Sequence, residues 1–176
     1  MTHRGAWILL LLATYPWLLG VDLLSSSLAS WGLCFFISGA VIVVPCQRLK
    51  RWQSVLFAAS IGFTFEAMRP IPDGAVALVL VFLAIYVNSY RKLIRSASHV
   101  FYSAIALNAL VTLVWVVIAH LETSPASSVD TFTFLYLAST QVTLSAVVAA
   151  MLISPIATVQ NWVMDTIGIP TVDLTA

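Results

Sequence analysis

Six long apolar stretches alternate with short polar breaks along this chain. They run Trp7–Leu24, Leu28–Cys46, Ser54–Met68, Gly74–Tyr90, Val100–Leu121 and Phe132–Ser154. Within each stretch the apolar positions are continuous rather than alternating. That pattern predicts helices facing lipid or buried all round, and not strands of a closed barrel. Roughly 17–25 mainly apolar residues carry a helix across a bilayer core, and the third stretch is the short one. Pro45, Pro70, Pro72, Pro125 and Pro155 fall at or beyond stretch ends, where a missing N–H costs little. Pro16 alone is interior and predicts a kink in the first helix. The short breaks predict antiparallel hairpins.

The polar breaks carry charge unevenly. Arg4, the group Arg48, Lys50 and Arg51, and the group Arg91, Lys92 and Arg95 all fall on one side of a six-span arrangement, with Arg69 alone opposite. The excess of basic residues on cytoplasmic loops then predicts both termini in the cytoplasm. Glu122, Asp130 and the Ser25–Ser27 turn take the outer side. The first apolar stretch is longer than a usual signal-peptide core of about 7–15 residues, so it is expected to remain as a span. After Pro155 the pattern becomes amphipathic. Ile156, Val159, Trp162, Val163 and Ile167 share one helical face, with Gln160, Asn161 and Asp165 on the other. An in-plane cytoplasmic helix is expected there, ended by Gly168 and Pro170. Lacking Lys and Arg, it suits a protein partner better than anionic lipid.

Composition sharpens this picture. Of 176 residues, 61% are apolar and only 9% charged, against roughly 25% charged in soluble domains. A soluble enzyme, a disordered chain, a coiled coil and a nucleic-acid binder with a basic face are excluded. The net charge of +1 gives no overall bias that points to a charged partner. Cys34 and Cys46 would lie about 18 Å apart along a helix, too far to bond. The expected fold is all-α: a polytopic membrane protein with six transmembrane helices in one bundle over residues 1–155, then a cytoplasmic amphipathic helix and tail over 156–176.

Ionisable residues at membrane depth are candidates for function. Glu66 is the deepest, about 20 Å of helix beyond the Arg51–Trp52 interface. Arg69 follows three residues later on the same face. Pro70 and Pro72 stop the helix, Asp73 is placed to cap the next one, and Gly74 allows close approach. One reading is a local ion pair with a cap, which lets a short helix end below the surface. The other is a polar pocket or a docking point for a partner helix. Asp22 lies near the outer interface. Asn88, Asn108, Thr140 and Gln141 are placed to bond neighbouring helices, at about 0.6 kcal/mol each. His120 is interfacial, and His3 and His99 lie on the far side, so no three-histidine metal site forms. Ala58/Gly62 and Ser145/Ala149 permit close helix crossings. The six tryptophans suit interfacial belts. No nucleotide-binding loop, zinc-protease, serine-hydrolase or CxxC motif is present. No catalytic residue, cofactor or metal is expected.

The stretch from Gly62 to Arg95 resembles the rod shape-determining MreD family. It reads Gly62-Phe63-Thr64-Phe65-Glu66, a turn from Arg69 to Asp73, Gly74, an apolar helix Ala75–Tyr90, and the basic run Arg91-Lys92-Leu93-Ile94-Arg95. Glu66 stands where the family usually has Asp, and the turn is richer in proline. The resemblance covers about a fifth of the chain. It implies a non-enzymatic scaffold of the cell-shape and peptidoglycan elongation machinery in the bacterial inner membrane. Such a scaffold binds the single-pass protein MreC. Through it, the scaffold links the MreB filament to the synthase RodA and a class B penicillin-binding protein. Glu66, Arg69, Asp73 and Gly74 would then form the partner-facing hairpin, with Arg91, Lys92 and Arg95 serving topology and filament-side contacts. The family's fold also resembles the six-helix vitamin-binding S-components of energy-coupling-factor transporters. That alternative expects an outer pocket of several hundred Å³.

Overall fold

The structure is a computed structural model and describes residues 5–31, 34–68, 74–94, 96–123 and 131–169. Among these, all regular structure is helical. In chain order there are α1 (Ala6–Leu28), a 3₁₀ turn (Ala29–Trp31), α2 (Ser38–Val41), α3 (Val43–Arg48), α4 (Arg51–Ala67), α5 (Ala75–Ser89), α6 (Ala97–Thr123) and α7 (Thr131–Thr166). Three helices are long and apolar enough to cross a membrane, over Trp7–Leu28, Ala97–Leu121 and Phe132–Thr166. The apolar helix α5 has 15 residues and α4 has 17.

The second apolar stretch is not one spanning helix. It breaks into the 3₁₀ turn, irregular backbone leading to Ile37, and the short helices α2 and α3. Pro45 is the local cause. It has no N–H to give the Val41 carbonyl four residues back, and its ring crowds that carbonyl. The chain therefore ends α2 at Val41 and restarts at Val43, with Pro45 in the first turn of α3, where the missing donor is harmless. Every residue from Phe35 to Cys46 is buried. Here α2 packs on α4, α6 and α7, while α3 packs on α4, α5, α6 and α7. The interrupted segment is the middle of the bundle.

At the C-terminal end, α7 runs unbroken through Pro155 for 36 residues, roughly 54 Å at the α-helical rise. The pattern predicts one helix ending there and an in-plane one beginning. Instead, the buried stripe Ala149, Ile153, Ile156, Gln160 and Met164 continues along one face past the proline. Continuous packing outweighs the one hydrogen bond that Pro155 removes on an exposed side. Two residues change sides relative to expectation: Gln160 is 1% exposed, whereas Trp162 is 68% exposed.

Small residues set the closest crossings. A Cβ on Gly62 would overlap the Cα and Cβ of Ala77, so α4 and α5 touch backbone to backbone there. A Cβ on Gly39 would lie 2.6 Å from the Asn108 Cα, which fixes α2 on α6. Ala58, Ser145 and Ala149 are fully buried. Trp115 does not join a belt; its ring meets Phe36 edge-on at 4.7 Å inside the bundle.

Candidate functional site

Interrupting a helix frees backbone groups, and inside an apolar bundle each needs a partner. Side chains from the surrounding helices supply them. Asn108 of α6 donates to the Phe36 carbonyl at 2.8 Å and to the Ser145 carbonyl at 3.1 Å. The Ser145 hydroxyl accepts from Phe36 N–H, and the Ser25 hydroxyl accepts from Phe35 N–H, both at 3.2 Å. The carbonyl of Val41, released by Pro45, accepts from Gln160 Nε2 at 3.0 Å. Gln160 also reaches Thr14 of α1. At the end of α3, Asn88 donates to the carbonyls of Cys46 and Leu49 at 3.0 and 3.1 Å. These polar side chains thus form a set of backbone pins around residues 35–49. Thr140 bonds within its own helix, and His120 stacks on Phe134 with centroids 4.1 Å apart.

Glu66 belongs to a second cluster, at the α4–α5 hairpin. It is 4% exposed and turned inward. Its Oε2 accepts from Gly74 N–H at 2.8 Å; its Oε1 accepts from Val76 N–H at 2.5 Å and Ala77 N–H at 2.9 Å. These are three of the four N–H groups left without partners at the start of α5. An acidic group also complements the positive end of the helix. Gly74, at φ +94°, is the N-cap residue and contributes no side-chain cap, so α4 caps α5. Arg69 and Asp73 lie outside the described residues, as does Arg95. Arg91 and Lys92 are exposed in the turn after α5. Bonds from Asn88 to Leu49 and from Gln47 to Ile94 bring that turn to the same end of the bundle as Arg48, Lys50 and Arg51.

A third cluster escaped sequence reasoning, which used Arg48 only as a topology marker. Its side chain is 8% exposed. The guanidinium donates to Asn161 Oδ1 at 3.1 Å, to Asp165 Oδ1 at 2.5 Å and to the Ile169 carbonyl at 2.7 Å. A cation at the C-terminal end of α7 complements that helix end. The only sequence signal was the pair Asn161 and Asp165, one helical turn apart.

Two cavities adjoin these clusters. One, of about 30 Å³, lies among Asp22, Phe35, Phe36, Ser38, Thr64 and Phe65. It has room for about one water molecule, and the buried Ser38 hydroxyl has no partner. The other, of about 400 Å³, lies between α3, α6 and α7 and includes Arg48. No group of three His, Cys, Asp or Glu side chains suited to a metal occurs among the described residues. No family model, curated protein or solved structure matches this chain.

Proposed function

We propose that this protein is a non-enzymatic scaffold of the bacterial inner membrane, with both termini cytoplasmic. In this reading it serves the cell-shape and peptidoglycan elongation machinery and binds an MreC-like single-pass partner, and through it RodA-type and transpeptidase synthases. The observation that carries the reading is the Glu66 cap. It ties the last turn of α4 to the first turn of α5. The MreD-like stretch is therefore one preformed hairpin. A rigid platform loses little entropy when it binds. Its outer face is apolar: Leu78, Phe82 and Tyr86 repeat every four residues along α5 and are 53–63% exposed, with Phe63 of α4 also exposed. A single partner helix laid along that stripe would cover it.

Co-purification of the tagged protein with an MreC-like partner tests the proposal. Glu66→Ala and Arg69→Ala are expected to weaken the complex; full retention by both removes the hairpin from the account. One observation favours a second reading, a vitamin-binding S-component-like subunit: an interrupted helix in mid-bundle beside a cavity. That cavity, at about 30 Å³, is an order of magnitude smaller than such a ligand requires. A small molecule retained by the purified protein would support this reading instead.

A further inference from the structure

The groove of about 400 Å³ between α3, α6 and α7 falls in the size range of ligand sites. Its lining divides by chemistry. Val44, Val100, Phe101 and Ile153 are apolar, whereas Gln47, Arg48, Ser154, Thr158 and Asn161 are polar, and no acidic residue lines it. Arg48 has five N–H donors and makes three hydrogen bonds, so donors are left over. Its Nη1 makes one of these bonds and keeps a second N–H, while Nη2 uses both of its own. Ala97, the first residue of α6, brings the positive end of that helix to the same groove. The exposed Arg91 and Lys92 lie in the turn that leads there. Asp165, the carboxylate partner of Arg48, is 60% exposed.

An apolar trough with a cationic end at the basic edge of the bundle matches one kind of molecule. We propose that this groove holds an anionic phospholipid. Its phosphate meets Arg48 and the start of α6, and one acyl chain lies along Phe101 and Ile153. Arginine suits phosphate through its planar fork of donors, and basic recesses between helices on the cytoplasmic side take anionic headgroups. The inference rests on the membrane reading, with this end at the cytoplasmic surface. It does not depend on the partner assignment.

The test uses the full-length purified protein in detergent, titrated with phosphatidylglycerol or phosphatidylcholine and read by native mass spectrometry. Phosphatidylglycerol is expected to bind about fivefold more tightly, the contribution of roughly one basic residue near an anionic headgroup. Ala157→Phe fills the groove without touching the Arg48 bonds and should abolish the preference. Thr143→Phe, on the same face of α7 but about 20 Å along the helix from Ala157 and outside the groove, should leave it intact. If Ala157→Phe fails to fold, Ser154→Trp obstructs the same groove from an exposed position. Glycerol phosphate, which lacks chains, should not compete. Equal binding of the two lipids, a preference that survives groove filling, or competition by glycerol phosphate would each overturn the proposal. Labelling of Lys92 from the outside would instead overturn the membrane orientation. Loss of MreC-like co-purification alone would leave the lipid site standing.

Discussion

Glu66 and Arg48 both bury a charged end, at opposite ends of the bundle, and each is matched to a helix terminus. Glu66 takes N–H groups at the start of α5; Arg48 gives N–H groups to the end of α7. The resemblance stops at what surrounds them. The three donors at the start of α5 that Glu66 takes are backbone groups 8–11 residues away. Arg48 is held by two side chains and a carbonyl 113–121 residues away, one of them the exposed Asp165. A local backbone cap has no freedom to rearrange, while a clasp between distant helices can open into water. Glu66 therefore acts as a fixed element of the hairpin, and Arg48 as a joint between the ends of α3 and α7.

Removing Glu66 breaks this comparison most severely. Glu66→Ala strands three N–H groups inside the bundle, each worth about 1–3 kcal/mol when unsatisfied. Partial access of water leaves an expected loss of about 3–5 kcal/mol. Glu66→Gln is the sharper experiment. Its single oxygen still serves Val76 and Ala77, but its amide group faces the Gly74 N–H, donor against donor. A loss of about 1–2 kcal/mol is expected. Denaturation in detergent, followed by tryptophan fluorescence, measures both. Equal losses in the two variants would show that the backbone bonds contribute little.

The pins around the interrupted segment come next. Asn108→Leu leaves the Phe36 and Ser145 carbonyls without their donor, at an expected cost of about 2–3 kcal/mol. Gly39 sits against the same residue, so any repacking is confined. An unchanged midpoint for Asn108→Leu would mean that water reaches the break and replaces the amide.

What could be read from the sequence divides along the same line. The apolar runs marked out α1 and α4 to α6 as helices, because periodicity and length report local structure. Glu66, Gly74 and the Ala58/Gly62 pair stood out as well. Their partners did not: Asp73 was the nearer capping candidate, and nothing local says that a carboxylate on one helix serves the next. The break at Pro45 was present in the sequence but indistinguishable from a span end, since a buried interrupted segment and a lipid-facing helix are equally apolar. Asn108 was visible as a polar residue in an apolar run, whereas Gln160 read as part of the polar face of an in-plane helix. Which carbonyls they serve depends on contacts 37–119 residues away. Arg48 gave the least warning, because a basic residue at a span end already has a sufficient explanation in topology.

Opening the clasp from its two sides sharpens the contrast further. Arg48→Met keeps the apolar stem while removing the fork, and it deprives Asn161, Asp165 and the Ile169 carbonyl of their donor. Asp165 is 60% exposed, so water replaces much of what that carboxylate loses. A decrease of about 1–2 kcal/mol is expected, smaller than for Glu66→Ala despite the same number of hydrogen bonds. Protease sensitivity beyond Thr166 should rise together with it. A loss as large as that of Glu66→Ala would show the clasp to be as closed to solvent as the cap.

The smallest effect belongs to the other half of the same pair. Asp165→Asn keeps an oxygen for Arg48 Nη2 and removes only the charge, on a side chain that is 60% exposed. Ion pairs open to water contribute about 0–1 kcal/mol, so a change near 0.5 kcal/mol is expected, diminishing further at high salt. The two substitutions test one bond from opposite ends and should give unequal answers. The arginine end is buried, and losing its fork leaves several acceptors to be rehydrated. The aspartate end is already wet, so losing its charge exchanges one solvated group for another. Equal effects from the two, with the same salt dependence, would mean that the Coulombic attraction itself closes the joint. The unequal result expected here assigns that work to the hydrogen bonds from Arg48 to Asn161 and the Ile169 carbonyl, which Asp165→Asn leaves in place.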